Sequence, residues 1–232
     1  MKAIYEPGGR TEFAKLALNL YAGCSHGCRY CYNKDKFPGS CADRVKKSSF
    51  ENIESDLRKL DGTDRIHLSY VGDPYDLGRQ DNRDMRQVLI KLRKHNHPFQ
   101  ILTKGGTKAV EDFDLYGPND WFGATLTFDN DADSKTWEPG AALPEDRISA
   151  LRIAHERGIR TWVSLEPVID PAQTLHLIDM AHEFVDLFWV GKLNHMPELE
   201  AKIDWPKFRT DAKALLQRHG KQYKIKYDLS TM

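Results

Sequence analysis

Three of the chain's four cysteines fall within eight positions, at Cys24, Cys28 and Cys31 of the stretch YAGCSHGCRYCYN. Thiolates are soft ligands that select iron–sulfur clusters, zinc or copper, and three from one short loop can converge on a single centre because the chain wraps around it. Gly23 and Gly27 relax the backbone where such a wrap requires unusual dihedrals. A closed structural site wants four protein ligands. Cys41 or His26 would supply the fourth in a non-enzymatic zinc module. Three cysteines alone would leave one iron of a four-iron cluster open to an external ligand, which is a catalytic arrangement.

The chain that must present this loop is 232 residues long, enough for one sizeable core, and a single domain over 1–232 is the expectation. Hydrophobic residues at 40% and charged residues at 29% are ordinary for a soluble globular protein and argue against long disorder. Lysine plus arginine equals aspartate plus glutamate at 34 each, so no global field draws the protein to nucleic acid or an anionic membrane. Basic clusters at RVKK, KLRKHNH and RHGKQYKIK then read as solvated helix faces. The opening residues MKAIYEPGGR lack the apolar core of a signal peptide, and no apolar run approaches the roughly 20 residues that cross a bilayer. A cytoplasmic protein with no membrane partner is expected. Cysteines this few and this crowded suit a reducing compartment and a ligand role, not a disulfide framework.

Short runs rich in β-branched and aromatic residues mark six strands: LALNLY (16–21), RIHLSYV (65–71), FQILT (99–103), WFGATLTF (121–128), IRTWVSLE (159–166) and DLFWVG (186–191). Helical segments alternate with them. Ser48 and Glu51 form a capping box before FENIESDLRKL, Pro144 opens PEDRISALRIAHER, and Asp170 with Pro171 opens PAQTLHLIDMAHEF. A last helix runs from about Pro206 to His219, and KQYKIKYD is a candidate edge strand. Repeated βα units imply a parallel sheet, open or rolled into a full or partial barrel, with the chemistry at the carboxyl ends of the strands. The cysteines follow the first strand. The long connection from Asp129 to Pro144 is a candidate lid in which Trp137 either stacks on a planar substrate or packs on the barrel. His95 and His97 bracket a helix end and are expected to cap it.

The pattern C-x3-C-x-Y-C after the first strand of a βα series resembles the signature of radical S-adenosylmethionine enzymes. The wider sequence is similar to their spore photoproduct lyase-like branch, through SYVGDPYD, ILTKGG, EPGAALPEDRISALRIAHERGI and WVSLEPVID in the same order, over roughly residues 16 to 195. The resemblance implies a partial (β/α)6 TIM-like barrel, with residues 196–232 as a C-terminal helix and edge strand. It implies a 4Fe-4S cluster on Cys24, Cys28 and Cys31 whose open iron binds S-adenosylmethionine. One-electron cleavage then gives a 5'-deoxyadenosyl radical that abstracts hydrogen from substrate. An electron donor such as flavodoxin or ferredoxin is implied as partner.

Residue by residue, the resemblance places Tyr30 against the adenine, Gly72 and Asp73 at the methionine amino group, and Lys104 at the methionine carboxylate. Thr127 and Glu166 are placed on the same rim by position, as further cofactor contacts, and a buried charge at Glu166 would need a partner. Arg147 resembles a recurring family arginine. Where photoproduct lyases carry a hydrogen-donating cysteine before the cofactor-binding turn, SYVGD offers Ser69 and Tyr70, which puts thymine-dimer repair by the same relay in doubt. Tyr70 and the spare thiol Cys41 are therefore the candidate catalytic residues, Cys41 as hydrogen donor, second-centre ligand or inert buried residue. The substrate stays open between a nucleic-acid base or nucleotide and a peptide or small molecule.

Overall fold

The computed structural model describes residues 2–8, 13–34, 45–80 and 82–232. Its strands are β1 (Ile4–Tyr5), β2 (Leu16–Leu18), β3 (Tyr21–Ala22), β4 (Val45–Lys46), β5 (Ile66–Leu68), β6 (Phe99–Thr103), β7 (Trp121–Thr125), β8 (Arg160–Leu165), β9 (Leu187–Val190) and β10 (Gln222–Ile225). The helices are α1 (Phe50–Leu57), α2 (Arg83–Lys94), α3 (Asp131–Trp137), α4 (Pro144–Glu156), α5 (Pro171–Ala181), α6 (Pro197–Glu200), α7 (Trp205–Arg218) and α8 (Tyr227–Ser230), with a 3-10 helix over Gly106–Leu115.

One sheet runs β1-β2-β5-β6-β7-β8-β9-β10. Only β1 is antiparallel to its neighbour; every other pairing is parallel. The expected partial barrel is therefore present, with all six predicted strands in consecutive order and two more at the edges. The segment KQYKIKYD supplies β10, and Ile4–Tyr5 adds a strand too short to show periodicity. LALNLY does not stay one strand: β2 ends at Leu18, and Tyr21–Ala22 pairs instead with Val45–Lys46 in a small hairpin. At the break stands Asn19, whose side-chain oxygen accepts from the Tyr70 and Val71 amides of a neighbouring loop.

Side chains alternate across each strand, so each face buries its own set. Leu18, Leu68, Ile101, Phe122, Val163 and Phe188 face the helices in a cluster that runs from Ala3 to Leu229. The alternate positions Trp162, Leu187 and Trp189 face inward and pack with Phe13, Leu102 and Trp121 as an aromatic floor. Gly123 lies in the middle of this floor because a Cβ there would sit 2.4 Å from Trp162.

Helix caps follow the sequence with small shifts. Ser49, not Ser48, caps α1 by accepting from the Asn52 amide; Ser48 donates its hydroxyl to the Asn19 carbonyl at 3.0 Å. Asp170 accepts from the Ala172 and Gln173 amides at the head of α5. The helix expected from about Pro206 is α7, which starts one residue earlier on an Asp204 cap and is followed by the short α8. His95 and His97 do not cap α2 with their side chains: His95 meets Glu54 at 2.8 Å and His97 meets the Leu57 carbonyl at 2.9 Å, so both tie α2 to α1. Among the described residues no helix is long and apolar enough to cross a membrane.

Candidate metal and cofactor site

Two loops, after β2 and after β5, are built against each other. Asn19 is buried, and its Oδ1 accepts from the Tyr70 and Val71 amides at 2.8 and 3.2 Å. The Gly23 amide then donates to the Val71 carbonyl at 2.7 Å. The loops approach so closely that a Cβ on Gly72 would lie 2.8 Å from the Gly23 carbonyl oxygen and 3.3 Å from that of Tyr21. Glycine at 72 is thus a backbone requirement. Gly23 and Gly27 take positive φ, as the wrapping loop demands.

The carboxylates of SYVGDPYD lock the cysteine loop. Asp76 accepts from the Ser25 amide at 3.1 Å, from the Ser25 hydroxyl, and from the Gly78 amide at 3.1 Å. Burial works against its charge, but these bonds hold the Asp76 carboxyl below the usual range. His26 is buried with Nδ1 at 3.6 Å from Asp73 and Nε2 at 3.9 Å from Asp76, and its Nε2 also accepts from the Leu77 amide at 3.4 Å. Burial lowers its pKa, keeping the ring neutral. His26 is a strut between the two loops, and it lines the same cavity as the three cysteines. Cys41, the other proposed fourth ligand and candidate hydrogen donor, lies outside the described residues.

Cys24, Cys28 and Cys31 all border one cavity of about 660 Å³ at the carboxyl ends of the strands. Cys28 is buried and the other two are half-buried. The Cys31 amide bonds the Cys28 carbonyl at 3.2 Å, closing a turn between the last two thiols. Burial, helped by the Asp73 charge, pushes the Cys24 thiol up to about 12, and burial pushes Cys28 to about 11. A metal's positive charge would favour the thiolate form of such thiols. Among the described residues no three cysteine, histidine or acidic side chains close around a single ion. Three soft thiolate donors bordering one cavity are the donor set that a metal centre of the iron–sulfur or zinc kind takes.

The other candidates divide between the cavity wall and its support. Tyr30, Tyr70, Gly72, Asp73, Lys104 and Glu166 line the cavity, and Thr127 is not among the lining residues. The Lys104 ammonium stands 5.6 Å from the centre of the Tyr30 ring. Asp73 accepts from the Tyr75 amide at 2.9 Å, the Lys104 amide at 2.8 Å and the Thr103 hydroxyl, which fills about three of the roughly four acceptor sites of a carboxylate. The Thr127 hydroxyl is 3.3 Å from that of Tyr30. Glu166 has its partner, Lys226, the residue after β10. The Tyr70 hydroxyl is buried close to the Phe13 and Ala14 backbone, and its ring lies 4.3 Å from that of His67. Trp137 packs beside Phe128 at 6.3 Å, away from the cavity.

Several residues that build or line the site were not singled out by the sequence, or were named without their partners. Asn19 and Asp76 lie inside quoted motifs but carry no signal of their own beyond being polar. Glu138 and Arg147 form a fully buried ion pair, each 1% exposed. Although burial favours the neutral acid, Arg147 and then Lys104 keep Glu138 ionised. Lys192 and Lys226 reach the cavity from the C-terminal third. Lys226 follows β10 directly, so its place at the cavity comes from the end of an edge strand that the sequence marked only as a candidate.

Residues 18–185 match the family model of the radical SAM superfamily. The chain belongs to that superfamily, as the resemblance implied, and is an enzyme of that class, whose membership supports cleavage of S-adenosylmethionine by radical chemistry. An uncharacterized protein of Methanocaldococcus jannaschii is 28% identical over 196 residues, covering 82% of this chain and 74% of that protein. An uncharacterized protein of Mycobacterium bovis is 25% identical over 170 residues, covering 67% of this chain and 50% of its own. Among solved structures, spore photoproduct lyase complexed with dinucleoside spore photoproduct shares the fold with a TM-score of 0.74 at 12% identity, over 96% of this chain and 79% of the lyase. Streptococcus suis SuiB bound to S-adenosylmethionine does so with a TM-score of 0.66 at 15% identity, over 90% of this chain and 49% of SuiB. The chain thus spans about half the length of SuiB and of the mycobacterial relative.

Proposed function

We propose that Cys24, Cys28 and Cys31 hold a 4Fe-4S cluster which, with S-adenosylmethionine bound in the same cavity, supplies one-electron cleavage of that cofactor and hydrogen abstraction from a substrate. The observation that carries this reading is the convergence of all three thiols on a cavity that also holds the Lys104 ammonium. Lys104 has no carboxylate partner among the described residues and is the cation for the cofactor's carboxylate. Asp73 offers its remaining acceptor site to the ammonium, and Gly72 lets backbone come close. The ring face of Tyr30 is the surface for the adenine, while Thr127 and Glu138 hold its hydroxyl from behind.

The wall formed by Ser164, Glu166, Lys192 and Lys226 is the substrate half, with Tyr70 on the same cavity as the candidate catalytic residue. A nucleic-acid base or nucleotide is the favoured substrate. The fold likeness to a lyase complexed with a dinucleoside photoproduct covers 79% of that enzyme, whereas likeness to SuiB bound to its precursor peptide covers 48%. Modification of a peptide or small molecule is the second reading. An external one-electron donor of the flavodoxin or ferredoxin kind and a cytoplasmic setting complete the proposal, for the chain over 1–232 as one domain.

Anaerobic loading with iron and sulfide tests the site. The reading predicts about four irons per chain, with an electron paramagnetic resonance signal in the reduced protein that changes when S-adenosylmethionine is added. Stable binding of a single zinc ion in place of iron would refute it.

A further inference from the structure

The segment Trp137–Gly140 runs alongside the cysteine loop and is bonded to it at both ends: the Arg29 amide donates to the Trp137 carbonyl at 2.8 Å, and the Gly140 amide to the His26 carbonyl at 2.9 Å. They are packed so closely that a Cβ on Gly140 would lie 2.4 Å from the Ser25 carbonyl oxygen. Between these ends the Tyr30 hydroxyl donates to Glu138 Oε1. In sequence Tyr30 sits between Cys28 and Cys31, so whatever fixes its hydroxyl fixes the stretch that spaces the last two thiols.

Behind Glu138 stands Arg147, and each of its three guanidinium nitrogens makes a bond. Nε donates to the Ala142 carbonyl at 2.7 Å, Nη1 to the Thr125 carbonyl at 3.0 Å, and Nη2 to Glu138 Oε2. Thr125 ends β7 and borders the cavity. The Ala142 amide in turn donates to the Lys104 carbonyl at 2.9 Å. One chain of bonds therefore runs from the ends of β6 and β7, through Arg147 and Glu138, to the phenol beside the cysteines. A buried ion pair is weak evidence for stability, because desolvation offsets most of its attraction and an apolar pair often does as well. What an apolar pair cannot do is aim a hydroxyl. A planar guanidinium fork held at two backbone carbonyls leaves its third arm one direction, and the carboxylate transmits that direction to Tyr30.

We infer that Glu138 and Arg147 are positioning residues that act through Tyr30 to set the loop carrying Cys28 and Cys31 against the cavity wall. The inference rests on the proposed reading of those cysteines as ligands of one cluster. It concerns how the chain holds the loop, and makes no demand on the identity of the substrate.

Tyr30→Phe is the test, because it removes one hydroxyl and leaves the ring and the ion pair in place. The full-length variant, loaded anaerobically, should reach wild-type iron content, release iron to a chelator about tenfold faster, and show a several-fold higher KM for S-adenosylmethionine with a smaller change in kcat for 5'-deoxyadenosine formation. Glu138→Gln keeps an acceptor for Tyr30 and should release iron within about threefold of wild type, slower than Tyr30→Phe. Lys135→Ala, at the exposed pair of Lys135 with Asp131 on the same segment, should change nothing. Iron release and KM for Tyr30→Phe equal to wild type would overturn the inference, as would an equal change in Lys135→Ala. Should Glu138→Gln fail to fold, Tyr30→Phe alone decides. A wild-type protein that holds no iron would be a different failure, overturning the cluster reading itself and the inference with it.

Discussion

The backbone amide of Lys104 donates to the Asp73 carboxylate at 2.8 Å, which joins the loop after β5 to the loop after β6. Two residues expected from the family resemblance to hold opposite ends of one cofactor are thus bonded to each other before any cofactor arrives. Replacing Asp73 by alanine would orphan the Tyr75 and Lys104 amides and the Thr103 hydroxyl. The expected cost is about 2–4 kcal/mol, because buried donors without acceptors lose their full desolvation penalty. Asp73→Asn, which retains one acceptor oxygen, should lose about half of that. Urea unfolding of the two variants measures both, and an unchanged midpoint in Asp73→Ala would show that the carboxylate does not hold the loops.

Gly72 tests the close approach of the same loops. Gly72→Ala drives a Cβ to 2.8 Å from the Gly23 carbonyl, a backbone atom that cannot rotate away. We expect a loss of about 1–3 kcal/mol in unfolding, from overpacking, together with weaker iron retention, since Gly23 precedes Cys24. A stable Gly72→Ala protein that loads iron normally would contradict the geometry.

The Glu138–Arg147 pair should behave non-additively. Arg147→Met leaves Glu138 charged, buried and unpaired, and is expected to cost about 3–5 kcal/mol. The double variant Glu138→Met with Arg147→Met removes both charges and should be more stable than Arg147→Met alone. Costs that simply add would mean that the two charges do not interact. The iron-release measurement on Tyr30→Phe separates this stability effect from positioning.

His67 gives a pH signature. It is fully buried against Tyr70 and Phe13, and burial lowers its pKa to about 3. The unfolded chain takes up a proton near pH 6.5 that the folded chain refuses until about pH 3. Stability from the neutral ring is therefore full above pH 6.5 and falls as the pH drops, by about 1.4 kcal/mol per unit for one proton. His67→Phe should reduce the slope of unfolding free energy against pH by about one proton between pH 6 and 4.5, a window where His26, whose pKa is also lowered, still contributes its own uptake. Parallel curves for the variant and wild type would refute this.

The cysteine loop and the six parallel strands were legible because both are local signals: ligand spacing in one, apolar runs bounded by turns in the other. The two-residue strand at Ile4–Tyr5 was not, since two residues show no period. Ser48 stood at capping-box spacing from Glu51, but a helix start is decided by which hydroxyl faces the first turn, and Ser49 does. The motif residues Tyr30, Gly72, Asp73 and Lys104 were legible through resemblance and do gather on one cavity. What the sequence hid were long-range pairings of ordinary charges: Glu138 with Arg147 nine residues on, and Glu166 with Lys226 sixty residues on. Nothing local distinguishes such a glutamate from a solvated one; only the fold desolvates it.

The central claim is tested most directly by chemistry at the three thiols. The protein is loaded anaerobically with iron and sulfide, reduced, and given S-adenosylmethionine with a panel of nucleosides and peptides, and 5'-deoxyadenosine is quantified beside a Cys28→Ala control. The account predicts 5'-deoxyadenosine from wild type and none above background from the control. Equal product from both proteins, or none from a fully loaded wild type under every substrate offered, would contradict it.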